Sequence, residues 1–137
     1  MTGSLSGCLG CGGGVNTIQM ELDSTHEQPV WVGIYLLSKE AALDGRPNAD
    51  LTNKDVARSF SAADGVIDYD VRPIYPGEPI VFLRQDYDPA VSWILITANF
   101  PNPDPCTRQK RPIGEEKNVN LKVSVVDKCL KIVDLDD

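Results

Sequence analysis

Near the C-terminus, Val119, Leu121, Val123 and Val125 alternate with Asn120, Lys122 and Ser124. A two-residue period sends successive side chains to opposite faces of an extended chain, so this stretch reads as a strand with one face buried. The period recurs at the other end, where Ile18, Met20 and Leu22 alternate with Thr17, Gln19 and Glu21. It recurs again where Ile67, Tyr69 and Val71 alternate with Asp68, Asp70 and Arg72, which predicts an inner face made by the first three and a solvated outer face made by the charged residues. Two runs are apolar on both faces, "PVWVGIYLL" (29–37) and "VSWILITANF" (91–100). That is the pattern of central strands, and it makes Trp31 and Trp93 core residues. "YPGEP" (75–79) puts Pro76 and Gly77 at the central positions of a turn, and "IVFL" begins the strand after it. The prolines at 101, 103 and 105 end the strand before them, because proline cannot donate to a ladder. "CLKIV" closes the chain, with Asp127 and Lys128 as a tight turn or a bulge.

One segment breaks this rhythm. Ser38 is placed to cap a short helix over "KEAALDG", with Gly45 as its stop, and "LTNKDVARSF" adds a second short helix with Leu51, Val56 and Phe60 inward. Six to eight strands with one helical excursion make an all-β domain, a β-sandwich rather than an α/β sheet. At 137 residues the chain fits one domain. Its 20 acidic against 13 basic residues give a net charge of -7, which repels nucleic acid and sets that class of partner aside. No run approaches the roughly 20 apolar residues of a spanning helix.

The opening stretch "LSGCLGCGGG" (5–14) admits three readings. Cys8 and Cys11 have the C-x-x-C spacing of zinc or thiol exchange, but zinc wants four ligands and Cys106, Cys129 and His26 are not paired at short spacing, while a redox pair belongs near a βαβ unit. Gly10 and Gly12 imitate half of a phosphate loop, but Val15 stands where the last glycine belongs and a strand follows instead of a helix. Leu5, Ser6, Gly7 and Cys8 match a bacterial lipobox, in which a peptidase cuts before the cysteine and a diacylglyceryl thioether anchors the new N-terminus. This reading expects a charged segment and an apolar run upstream of the given start. It makes Cys8 the lipid anchor, residues 1–16 a lipobox remnant and flexible tether, and residues 17–137 the sandwich, with no task for Cys11. An anchor of this kind implies an oxidising compartment, where Cys106 and Cys129 either pair or remain two buried thiols.

Catalytic chemistry finds no constellation. His26, the one histidine, sits in a polar turn beside Glu27, Asp68 and Asp70 read as solvated strand residues, and "DLDD" lacks the glycine and glutamate of a calcium loop. No catalytic residue, metal or cofactor is expected. "RQKRP" (108–112) reads as a solvated basic loop, available to an acidic partner or lipid headgroups.

In order, "PVWVGIYLLS", a helical insertion, "VRPIYPGEPIVF", "SWILITANFPNP", a basic loop and "VNLKVSVV" resemble the type VI secretion outer-membrane lipoproteins, the TssJ (SciN) family, over about residues 15 to 133. The resemblance implies a transthyretin-like sandwich with extra helical elements, held by lipid at the periplasmic face of the outer membrane. It also implies a non-enzymatic task, binding the periplasmic domain of the inner-membrane protein TssM through the loop between the first two strands. Here that loop is read as Asp23, Ser24, Thr25, His26, Glu27 and Gln28, and Gly33 stands where the family leads one to expect an arginine. The rival function is a periplasmic sandwich that reads a small molecule in a pocket or a peptide on a sheet edge, as an inhibitor-like domain does.

Overall fold

The computed structural model describes residues 16–100, 105–114 and 118–135. Cys8, Cys11 and the tether lie outside them. Eight strands run in chain order: β1 (Thr17–Ser24), β2 (Val30–Leu37), β3 (Val66–Ile74), β4 (Ile80–Gln85), β5 (Trp93–Ala98), β6 (Arg108–Pro112), β7 (Asn118–Val126) and β8 (Cys129–Asp134). They form two four-stranded sheets, ordered β4-β1-β7-β8 and β3-β2-β5-β6. β1 pairs parallel with β7, and every other neighbouring pair is antiparallel. The molecule is an all-β sandwich.

The alternating strands behave as their period requires. Ile18, Met20 and Leu22 of β1 and Val119, Leu121, Val123 and Val125 of β7 are buried in the space between the sheets, with Phe82 of β4 and Leu130 of β8. From the second sheet, Val30, Val32, Ile34 and Leu36 of β2 and Ile94, Ile96 and Ala98 of β5 enter the same core. The turn at Tyr75–Glu78 closes with a 3.1 Å bond from the Glu78 N–H to the Tyr75 carbonyl, and Gly77 takes φ 75°, the positive value that a type II turn demands after Pro76. Asp127 and Lys128 both have positive φ between the paired Val126 and Cys129, a two-residue hairpin turn of the primed kind and not a bulge.

β2 is apolar on both faces because two layers cover it. Its second face, with Tyr35 and Leu37, packs with Leu95, Val66 and Val71 beneath Ala42, Leu43, Leu51 and Ala57 from the segment joining β2 to β3. That segment departs from expectation. Residues 38–45 form successive turns in place of a helix, closed by bonds such as Ala42 N–H to Lys39 O and Asp44 N–H to Ala41 O. The reason is Leu43 at φ 66° followed by Gly45 at φ 86°, two left-handed residues that a right-handed helix excludes. Two short helices follow, α1 (Asn48–Leu51) and α2 (Lys54–Arg58). The Asn53 side chain caps α2 by accepting from the N–H groups of Asp55 at 2.9 Å and Val56 at 3.2 Å. Leu51 and Ala57 point inward, while Val56 and Phe60 are half-buried.

The faces of β3 are the reverse of the sequence reading. Asp70 lies opposite Ile34, Asp68 opposite Leu36 and Arg72 opposite Val32, so the charged residues share the interior face of the sandwich. Val71 lies opposite Gly33 and Tyr69 opposite Tyr35, on the face covered by the joining segment. Ile67, at a register shift where Leu36 and Leu37 meet β3, does pack on the central core. The charges are tolerated because β3 is an edge strand, where the interior opens to solvent. There Arg84 of β4 meets Asp68 at 2.6 Å and closes the gap between sheets. At the opposite edge Gln109 Nε2 of β6 donates to the Leu130 carbonyl at 2.7 Å, Arg111 pairs with Asp134 at 2.9 Å, and a disulfide joins Cys106 to Cys129 with their Cα atoms 4.9 Å apart.

Candidate functional site

Two surfaces come forward as sites, the loop between β1 and β2 and a groove beside β3. The loop is shorter than the sequence reading made it. Asp23 and Ser24 belong to β1, and Ser24 is buried, which leaves Thr25, His26, Glu27, Gln28 and Pro29 as the connection. Strand pairing with β7 extends to Ser24, whose partner is Val125, and the Val125 carbonyl also accepts from the Thr25 N–H at 3.1 Å. The Ser24 hydroxyl accepts from the His26 N–H at 3.0 Å, and the Gln28 N–H lies 3.2 Å from His26 Nδ1. The His26 ring rests 5.4 Å from that of Phe100. His26 therefore packs and orders the turn, while Thr25, Glu27 and Gln28 present their side chains to solvent. A loop held this way loses little conformational freedom on meeting a partner.

Trp31, at the start of β2, is 38% exposed and not a core residue. It lies on the covered face of β2, and Lys54 Nζ reaches over its ring at 5.8 Å. Trp93 is partly buried against the second core. Next to Lys54 a cleft of about 400 Å³ is lined by Lys54, Arg58, Tyr69, Asp70, Val71 and Arg72. Beyond Tyr69 a second cleft of about 370 Å³ runs past Phe60, Ser61, Ile67 and Asp88. Asp68 and Asp70, read from sequence as solvated, border this groove. Asp68 also blunts the sheet edge, since its Oδ1 accepts from the Tyr69 N–H at 2.8 Å.

The basic stretch 108–112 is β6, and its charges are turned inward onto the protein. Arg108 donates to the carbonyls of Arg46 and Leu43, the latter at 2.9 Å. Burial lowers the Arg108 pKa, and the charge of Asp44 opposes that shift. Lys110 reaches the Glu40 carbonyl at 2.6 Å and Asp44 at 2.7 Å. These side chains, with Asn48 bonded to Thr97 at 2.7 Å and to Thr107 at 2.8 Å, fasten the joining segment to its sheet. Missing this from the sequence was a matter of distance: Arg108 and Leu43 are brought together only by the strand order.

At the centre of that fastening Gly33 permits a close approach. A Cβ there would stand 2.2 Å from the Leu51 carbonyl oxygen, which accepts from the Tyr35 hydroxyl at 2.7 Å. An arginine has no room at this position. Burial, and then the neighbouring Tyr69, push the Tyr35 phenol well above its ordinary range. Among the described residues no group of three or more metal-ligating side chains is gathered, and no helix is long and apolar enough to cross a membrane.

No protein-family model matches the chain, and no curated protein matches it at a significant level. Solved structures do. The type VI secretion lipoprotein TssJ1 from Pseudomonas aeruginosa superposes with a TM-score of 0.72 at 16% identity, over 90% of this chain and 98% of that one. Lip from Serratia marcescens, a membrane-bound component of the type VI secretion system, gives 0.70 at 15% identity over 90% and 99%. A chain in the structure of the TssM C-terminal domain (869–1107) from EAEC gives 0.60 at 16% identity over 85% and 97%. The two-sheet sandwich shares its fold with these two type VI secretion lipoproteins.

Proposed function

We propose that this protein is a non-enzymatic scaffold lipoprotein of a type VI secretion membrane complex. In this reading a lipid on Cys8 holds it at the periplasmic face of the outer membrane, and the sandwich binds the periplasmic domain of a TssM-like inner-membrane protein. The observation that carries the reading is the likeness to two type VI secretion lipoproteins over nearly their whole length, with TM-scores of 0.72 and 0.70. The third likeness supports the partner: a chain of this size and fold occurs in a structure described by a TssM domain. The ordered loop at Thr25–Pro29, with Glu27 and Gln28 outward, supplies the contact surface, since hydrogen bonds and charge on a rigid loop give specificity.

The test has two parts. Expressed with its upstream region in its own host, the protein is expected in outer-membrane fractions with a diacylglyceryl mass increment on a chain beginning at Cys8. The sandwich is expected to bind the periplasmic domain of its cognate TssM, and to lose most of that affinity in a Glu27→Lys, Gln28→Ala variant. An unmodified, membrane-free chain would sink the anchor, and full affinity in the loop variant would move the contact elsewhere. The exposed Trp31 and the groove beside Tyr69 favour one second reading, an extended ligand lying along β3. Tryptophan fluorescence that shifts on adding peptides but not the TssM domain would select it.

A further inference from the structure

On the outer face of the β4-β1-β7-β8 sheet two adjacent rows of side chains match, beside a row of Asp23, Ser124 and Lys131. Strand register sets Val81, Glu21, Lys122 and Val133 side by side across the four strands. The next row is Leu83, Gln19, Asn120 and Leu135, the last fixed by a 2.8 Å bond from its N–H to the Asn120 carbonyl. Each row therefore reads apolar, polar, polar, apolar. The flanking residues are wet: Val81 is 54% exposed, Leu83 43%, Val133 43% and Leu135 48%. Apolar side chains placed at both edges of one sheet face, around a polar centre, are more than the scattered surface apolars of an ordinary monomer.

The pattern is self-complementary. Turning a second copy about a two-fold axis that runs parallel to the strands, between β1 and β7, lays β4 over β8 and β1 over β7. Val81 then meets Val133 of the second copy, Leu83 meets Leu135, Gln19 meets Asn120, and Glu21 meets Lys122, each contact occurring twice. Face-to-face packing of sheets with their strands nearly aligned is an ordinary mode of β association. We propose that this face is the interface of a homodimer, with the sheets back to back and Glu21 of each copy paired to Lys122 of the other. The occupant follows from charge complementarity: within one copy Lys122 reaches Asp23 at 3.7 Å, and a second copy adds Glu21 over Lys122 and Lys122 over Glu21 at matching places.

The face is about 20 Å on a side, from four strands at about 4.8 Å and six residues at about 3.3 Å each. That lies at the small end of specific interfaces, so the dimer dissociates at about micromolar concentrations or above. The connection Thr25–Pro29 lies at one end of the strands, off this face, and stays available in the dimer.

Sedimentation equilibrium of the 137-residue chain tests the proposal, with Cys8→Ser and Cys11→Ser included so that disulfides between leaders are not mistaken for the interface. A monomer–dimer equilibrium is expected. Glu21→Lys and Lys122→Glu should each weaken it about tenfold or more, because each acts twice in a two-fold interface, and the two together should restore it. Leu83→Asp should weaken it without rescue. All three positions lie on a solvated face, so the circular dichroism of the variants should match that of the parent. A chain that stays monomeric at the highest attainable concentration overturns the proposal, as does a dimer that both single charge reversals leave intact or that the double reversal fails to restore.

Discussion

The contact on which most depends is among Gly33, Tyr35 and Leu51. The Leu51 carbonyl sits so close to Gly33 that a methyl group would stand 2.2 Å from it, and the Tyr35 hydroxyl donates to the same oxygen. Gly33→Ala must push α1 off the sheet, and strain of that kind costs about 1–3 kcal/mol. Tyr35→Phe keeps the packing but removes the donor, for a loss of about 1–3 kcal/mol. Denaturant titration of both variants checks these values, and a Gly33→Ala protein as stable as its parent would contradict the close approach. The same tyrosine predicts a pH dependence. Its folded pKa is raised, chiefly by burial, so above the ordinary value of 10.0 the unfolded chain releases a proton that the folded chain keeps. The Tyr35 contribution is thus fully present below pH 10.0 and falls as pH rises beyond it. Melting temperatures measured on both sides of that pH should fall more steeply for the parent than for Tyr35→Phe.

Among the elements, the segment between β2 and β3 depends on side chains distant in sequence. Arg108 and Lys110 hold the carbonyls of Leu43, Arg46 and Glu40. Arg108→Met should therefore loosen residues 39–46 specifically, seen as faster amide exchange there with little change in β7. Arg108→Lys should rescue it only partly, because one ammonium does not replace a planar fork bonded to two carbonyls. Uniform exchange across the sandwich in Arg108→Met would sink this assignment. The same arrangement explains what sequence could and could not convey. Alternation located β1, β3 and β7, and two-faced apolarity marked β2 and β5 as central. But alternation gives a phase without saying which phase is inward, and β3, with Asp68 and Asp70 on the interior face of an open edge, was assigned the wrong one. Trp31 looked buried because its strand is, although it is 38% exposed. The basic run 108–112 became a strand bound to residues more than sixty positions earlier, a contact that strand order creates. For the candidate site, the loop was legible as a polar break between strands, while its true start at Thr25 depended on pairing with β7.

At the scale of the molecule, the two open edges of the sandwich are closed by unequal means. Where β3 faces β4, an ion pair spans the sheets, Arg84 to Asp68, with the side chains 35% and 38% exposed. Solvent screens such a pair, and Asp68→Asn should lower stability by less than about 1 kcal/mol. Where β6 faces β8, a disulfide closing 23 positions acts with Gln109 and the Arg111–Asp134 pair. Cross-linking a loop of that length stabilises by about 3 kcal/mol, mainly by restricting the unfolded chain. The sandwich is therefore expected to open like a book hinged at the disulfide edge. In native-state hydrogen exchange the amides of β3 and β4 should be released at lower free energy than those of β6 and β8, and Cys106→Ser with Cys129→Ser should narrow the difference. The groove beside Tyr69 lies at the weaker edge, so anything bound along β3 should slow exchange at β4 as well. Equal protection at both edges in the intact protein would refute the hinge.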